Sequence, residues 1–411
     1  MSQFQSYDAM YRARVGLAPG PVFVLLGVLS AVYFAITGTV WAVTGEFTRL
    51  GGHVVEWLGA DAHAWRYYQE VTTLDGSPVD RTDGWIVIAM LAGSLIAALY
   101  SGDFRLRLPP LKRRFAQALV GGIIAGFGAR LAYGCNLAAM FTGIPQFSLH
   151  AWIFTATTAL GTLLGVHIIK QRWWRGPTRP VPVTPGMPGS AAGSPKKKTT
   201  HRSIASVVVL GLVAAALAYV TTGRGMLSVA IVFGTVFGIL IQRGQICFTA
   251  AFRDLWVTRK TKLNDALILG LAAAVIMTWL VLQIGGMDPL TKPAGIGTVI
   301  GGMLFGLGIM MAGACETGMM YRAMEGQTAA VVAFVGNVIG ATVLAYGWDH
   351  WGIYATLVAP SPAFNFYQAW GPWPALVLSL VLLGLWAAAV RPLRQSRHER
   401  VRVSTETELV K

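Results

Sequence analysis

Residues 121–138 read GGIIAGFGARLAYGCNLA, and residues 301–318 read GGMLFGLGIMMAGACETG. Shifted by 180 positions without a gap, the two stretches share Gly121/Gly301, Gly122/Gly302, Gly126/Gly306, Gly128/Gly308, Ala132/Ala312 and Cys135/Cys315. Composition alone would supply about one identity over such a length, so the match marks an internal repeat. Each copy is an apolar run that ends in a small, polar break, Cys135–Asn136 or Cys315–Glu316. Glycines at this spacing let helices in lipid approach closely. A break beside them also frees backbone N–H groups that can face an anion. The two readings are compatible.

Working outward, the rest of the chain is equally apolar. Hydrophobic residues make up 54% of its 411 residues and charged residues 12%, with a mean hydropathy of +0.55. Soluble chains carry about 25% charged residues, so this composition predicts an all-α polytopic membrane protein. Apolar runs long enough to span a bilayer fall at about 21–44, 84–101, 117–141, 150–170, 203–222, 228–250, 263–285, 294–320, 328–347 and 372–390. That is ten spans, of which the first, third, sixth and eighth carry Gly-rich interruptions. The opening residues MSQFQSYDAMYRARVG lack the apolar core and cleavage site of a signal peptide, so the first span is expected to stay.

With the N-terminus inside, 26 of the 33 Lys and Arg residues fall on inside segments and five outside. Arg130 and Arg243 lie within spans. This bias is the positive-inside rule, and it predicts an inner (plasma) membrane protein with both termini cytoplasmic. It also explains the net charge of +15 as loop anchors facing anionic lipid, which excludes nucleic-acid binding as the reason for it. Residues 171–202, rich in Pro, Gly, Ser and basic side chains, read as a cytoplasmic linker. They separate a first membrane repeat (1–170) from a second with extra helices (203–390), followed by a basic tail (391–411). The acidic and aromatic segment 45–83 reads as an outer cap, and 348–371 as an interfacial aromatic belt.

The repeated motif lies on the third and eighth spans, five apart. An odd separation turns the second copy over, so the sequence predicts two inverted, pseudo-symmetric repeats with discontinuous helices, the logic of many transporters. Weaker correspondences set Asp83 opposite Asp265, Gly38 opposite Gly244 and Trp41 opposite Cys247, leaving the fifth and tenth spans as additions to two four-helix units.

The chain has only three cysteines, each in a polar interruption: YGCN, GQICF and GACETG. None has the spacing of a zinc site or a redox dithiol, and no metal or other cofactor is expected. A lone cysteine is ordinarily a small buried hydrophobe. Two at equivalent repeat positions shift the balance towards function. A thiol with an ordinary pKa near 8.5 is mostly protonated at neutral pH, so Cys135, Cys247 and Cys315 are candidate S–H donors to a soft anion. Topology sets Cys135 above a central constriction and the other two below it; re-entrant half-helices would instead gather all three near the midplane. Ionisable residues inside spans carry a functional default, which makes Arg130, Arg243 and Glu316 supporting candidates, with Asn136, Gln245 and Trp41. Each arginine has a structural alternative, a buried carboxylate partner or a snorkelling position. Glu316 has three readings: partner of Cys315, counter-ion, or proton carrier. Nothing resembles a nucleotide-binding motif, and catalysis is not expected.

Longer motifs surround these residues: FAITGTVWAVTGEFTR at 34–49, GGIIAGFGARLAYGCNLAAMFTGIPQFSLHAW at 121–152, QICFTAAFRDLW at 245–256 and GACETGMMYRAMEGQ at 313–327. In them the chain resembles the YeeE/YedE family of membrane transporters for sulfur-containing ions, and most of all its YedE-type branch linked to selenium metabolism. The resemblance implies an hourglass-shaped bundle in which substrate passes between cysteines, here Cys135, Cys247 and Cys315, by S–H···S hydrogen bonds. It also implies a small cytosolic sulfur-carrier protein as partner. Trp41 departs from the pattern, standing where a thiosulfate transporter would have a fourth cysteine. Two functions fit: uptake of a small sulfur- or selenium-containing anion, or a membrane-anchored relay handing persulfide or selenide to a carrier. A relay needs an accessible, activated thiol at the cytoplasmic surface.

Overall fold

A computed structural model describes residues 17–175 and 195–409, with side chains at 17–175 and 200–392. The first 16 residues, most of the expected linker (176–194) and residues 410–411 lie outside the described residues, as do the tail side chains beyond 392. Every described element is helical or a turn. Ten helical spans are long and apolar enough to cross a bilayer, and each coincides with an expected run.

In chain order the longer helices are α1 (Pro19–Thr37), α2 (Thr44–Trp57), α3 (Thr82–Ser101), α4 (Arg113–Leu131), α5 (Leu149–Lys170), α6 (Pro195–Thr221) and α7 (Gly225–Gly244). They continue with α8 (Phe248–Val257), α9 (Lys262–Gly285), α10 (Ile296–Ala312), α11 (Glu316–Met324), α12 (Thr328–His350) and α13 (Pro372–Leu409). The expected first span, 21–44, stops early. Gly38 takes a left-handed conformation (φ +68°), which ends α1 at low steric cost, and a separate helix starts at Thr44. The third, sixth and eighth spans are broken as well, with α4, α7 and α10 each followed by a second helical piece.

Helix faces are matched by small residues. A side-chain carbon at Gly121 would collide with the backbone of Ala312, and one at Gly301 would meet that of Ala132. Likewise Gly128 abuts Phe305 and Gly308 abuts Ala125. As numbering rises along α4 it falls along α10, so the two helices run antiparallel. Every contact also maps onto another when 180 is added to one partner and subtracted from the other. Elsewhere α4 packs on α12, α5 on α10, α1 on α9 and α3 on α7. Backbone-to-backbone approach of this kind is how helices gain packing energy in lipid, where burial from water contributes little.

Two helices stand apart. Only 6% of the Thr200–Thr221 span and 22% of the Pro372–Pro392 span is buried, against 44% or more for the other eight. Their exposed Val207, Leu210, Leu217, Val377 and Leu385 form apolar surfaces suited to lipid. These are the fifth and tenth spans, flanking eight packed ones.

The segment 45–83 folds over one end of the bundle. Tyr67, Tyr68, Leu74, Leu131 and Trp348 pack together there. Glu46 pairs with Arg49 at 3.0 Å and with Arg81 at 2.9 Å. This is the cap end. At the opposite, linker end, Gln117 at the start of α4 donates to the carbonyl of Trp174.

Candidate functional site

All three cysteines occupy one kind of position. Cys135 precedes a π-helical turn, Asn136–Phe141; Cys247 precedes α8; Cys315 precedes α11. In each case the residue two before the cysteine is left-handed: Tyr133 (φ +53°), Gln245 (φ +49°) and Gly313 (φ +87°). That conformation is costly for Tyr and Gln and is typically retained at functional sites. Physically, the left-handed residue ends the incoming helix, and two residues later the chain starts a new one whose first N–H groups have no intrahelical acceptor. No side chain caps any of these three heads.

The breaks converge. Cys247 Sγ and Cys315 Sγ lie 3.9 Å apart, and all three thiols are about 1% exposed. The Cys315 sulfur faces the N–H of Thr249 at the head of α8, while the Cys247 sulfur faces the N–H of Cys315. The third thiol joins them through Glu316. Thr44 Oγ1 donates to Glu316 Oε2 at 2.9 Å, and Cys135 faces both of these side chains. Gly318 leaves the room that Cys247 Sγ occupies.

Buried polar atoms without partners gather here: both side-chain atoms of Asn136 and Thr249 Oγ1, next to an Asn337 side chain that faces Glu316. Native interiors leave few such atoms unpaired, and each asks for an explanation. Around three thiols and uncapped helix heads, they make a surface able to donate to and accept from a small polar guest.

Of the supporting candidates, Arg130 and Asn136 belong to this region and Arg243 does not. Arg243 Nη1 lies 3.9 Å from Asp103 Oδ2 at the linker end, each side chain about a quarter exposed. Gln245 donates to Glu325 Oε1 at 2.6 Å, as does Gln242 at 3.1 Å, so it braces the floor of the bundle. An exposed pair at that distance contributes about 1 kcal/mol or less. Arg243→Gln is therefore expected to keep uptake within about twofold of wild type and to shift the thermal midpoint by only a few degrees.

Trp41 is buried in the apolar core. Its ring stacks on Phe237 with centroids 3.8 Å apart, and its indole N–H points at Met90 Sδ, 3.1 Å away. The residue heading α2, as Cys247 heads α8, is Val43. The sequence alignment set Trp41 opposite Cys247, but the longer break 38–43 moves the register by two residues. No thiol heads the fourth half-helix.

Three residues near the thiols carried no signal in the sequence. Arg322, which reads there as a loop anchor, donates to the Gly313 carbonyl at 2.9 Å and faces Cys247 and Cys315. Thr44 lies in a quoted motif without standing out from its neighbours. Lys292 reads as one of the few outside cations, yet its Nζ donates to the carbonyl of Tyr133 at 2.7 Å, beside the Cys135 break.

Residues 12–164 and 243–411 match the family described as sulphur transport. The chain belongs to that sulphur transport (YeeE/YedE) family. It is 44% identical over 366 residues to the probable transporter YedE of Escherichia coli K12, covering 89% of this chain and 90% of that protein. Identity to the probable transporter YedE of Salmonella typhimurium is also 44%, with the same shares of the two chains covered. A shorter match, 34% over 179 residues, joins 39% of this chain to 54% of the thiosulfate transporter TsuA of Spirochaeta thermophila. The family covers both halves of the molecule and all three cysteines.

Proposed function

We propose that this protein takes up a small sulfur- or selenium-containing anion, passing it along the thiols of Cys135, Cys315 and Cys247. One observation carries the reading: each cysteine heads a half-helix at a break within a membrane span, and the three heads adjoin. An anion entering lipid loses its water, a loss of tens of kcal/mol for an isolated ion in an apolar medium. Helix N-termini carry partial positive charge and free N–H groups, and a thiol adds a polarisable donor matched to sulfur or selenium. Such contacts exchange easily, which lets the guest move on.

The antiparallel, reciprocal packing of α4 and α10 supports a path built by two oppositely oriented halves. The concentration of basic residues on one side supports an inner-membrane protein with both termini in the cytoplasm. Burial of Cys247 and Cys315 to about 1% exposure favours passage over a relay, which needs a thiol that a partner protein can reach. Thiosulfate, carried by the TsuA relatives, is the first substrate to test. The thiol-free head at Val43 makes selenite the second.

The test is a liposome panel of labelled thiosulfate, sulfite, selenite and sulfate, with and without a proton gradient. Accumulation of at least one sulfur or selenium species above protein-free vesicles, with sulfate left behind, is the expected result. If none of the four accumulates under either condition, the uptake reading fails.

A further inference from the structure

Two cations meet beneath the cap, neither of them at ion-pair distance from a carboxylate among the described residues. Arg130, at the end of α4, is 7% exposed. Its Nη2 donates to Thr72 Oγ1 at 3.1 Å, its guanidinium lies 5.4 Å from the Tyr67 ring centroid, and its Nε is buried without a partner. Lys292 enters from the loop between α9 and α10 and bonds the carbonyl of Tyr133, three residues beyond Arg130. It lies close enough for the two charges to repel.

Among the described residues neither cation has a carboxylate within 4.0 Å, although the field of Arg130 reaches the buried Glu316 on α11; several of the cap's acids are engaged elsewhere. Glu46 holds Arg49 and Arg81, Glu70 holds Arg66, and Asp80 holds Arg224. Burying like charges side by side is unfavourable unless something neutralises them. A protein stabilised only for folding would set a carboxylate or an apolar side chain here.

We propose that Arg130, Lys292 and the Thr72 hydroxyl form an anion-binding station beneath the cap, which takes a small divalent oxyanion of the sulfate or thiosulfate kind. The guanidinium fork and the ammonium read charge and oxygen atoms; they have no means of telling a terminal sulfur from an oxygen. Selection is left to the thiols below. The station's place at the entrance to a path rests on the uptake reading, but its binding chemistry does not.

Burial, with Arg130 alongside, pushes the Lys292 ammonium down to about 8. The titratable and charged groups facing it are Arg130 from α4, Cys135 from the following break and His150 from α5. The sign follows directly. Below pH 8 Lys292 is charged and attracts the anion; as pH climbs through 8 the charge is lost and binding weakens. Arginine at the same position keeps its charge throughout.

The experiment uses the full chain purified in detergent, with thermal midpoints measured against sodium sulfate and sodium thiosulfate at constant ionic strength. A ligand that binds only the folded state raises the midpoint in a saturable way. Wild type is expected to respond to both anions with similar apparent affinity, weakening about tenfold between pH 7 and 9. Lys292→Met and Arg130→Gln should each weaken the response at least about tenfold at pH 7, while Lys292→Arg responds and stays flat across that pH range. Arg243→Gln, at the linker end beside Asp103, should bind as wild type does. Unchanged responses in Lys292→Met and Arg130→Gln would overturn the station, as would a response that follows ionic strength alone. If Lys292→Met does not give monodisperse protein, the pH slopes of wild type and Lys292→Arg decide, and equal slopes remove Lys292 from the site. Sulfate binding in a chain that carries nothing across liposomes would leave the station standing and end the uptake reading.

Discussion

Replacing Cys315 with alanine is expected to reduce uptake of labelled anion in liposomes about 100-fold, with the protein still folded. Cys315 lies at the centre of the cluster: 3.9 Å from Cys247, against the N–H at the head of α8, and one residue before the Glu316 that meets Cys135. A hydrogen bond to a charged group contributes about 1.5–3 kcal/mol, and each 1.36 kcal/mol is tenfold in rate. Losing one such contact between thiol and anion, as the uptake proposal has it, therefore costs about one to two orders of magnitude. Alanine removes one sulfur from a buried site, too small a change to unfold the bundle. Serine makes a sharper comparison, because it keeps a donor but loses the polarisable sulfur; Cys315→Ser is expected to fall between wild type and alanine. Uptake at the wild-type rate in Cys315→Ala would show that the thiol takes no part.

The second large effect concerns the fold. Gly121→Leu is expected to yield no monodisperse protein, and Gly308→Leu should behave in the same way. Each glycine sits where backbone meets backbone: Gly121 against Ala312 and Gly308 against Ala125. A β-carbon in either place has no flexible neighbour to push aside, so α4 and α10 must separate. Overpacking in well-packed cores costs about 1–3 kcal/mol and at times more. Here a whole interface is lifted, and folded proteins hold only about 5–15 kcal/mol in reserve. Gly384→Leu on α13, where nothing lies within 4 Å of the added carbon, is the control and should purify normally. If Gly121→Leu purifies and melts like that control, the close crossing of the two helices is wrong.

Both predictions touch the same two spans, and the sequence reads these spans unevenly. Gly121, Gly128, Gly301 and Gly308 repeat at a fixed offset, so the shared motif is legible in the order of residues alone. Glycines at Gly38 and Gly134 also announce that helices end near them. By contrast Tyr133 and Gln245 bend the chain in the left-handed region without being glycine, and no local rule finds them. The cysteines stand out by scarcity, whereas Lys292 and Arg322 are hidden among ordinary loop cations.

Arg130 and Arg243 show where local reading ends. Each precedes a cysteine by a few residues inside an apolar run, and the sequence treats them alike. One lies under the cap, bonded to a threonine with no acid beside it; the other leans towards Asp103 at the opposite end. Trp41 gives a similar case, since the pairing with Cys247 depends on a break length that only the folded chain fixes.

By itself the sequence determined the membrane class, the ten spans, their basic side and the repeated Gly–Cys motif. These are local properties: bilayer thickness sets the length of each apolar run, and the cost of unbonded backbone in lipid forces each run into a helix. Only the tertiary structure decided that Cys247 meets Cys315, that Glu316 joins them to Cys135 and Thr44, and which arginine stands near the cysteines. Those relations join residues 68 to 272 positions apart, and they depend on how closely helices cross, a quantity set by all the side chains of both faces together.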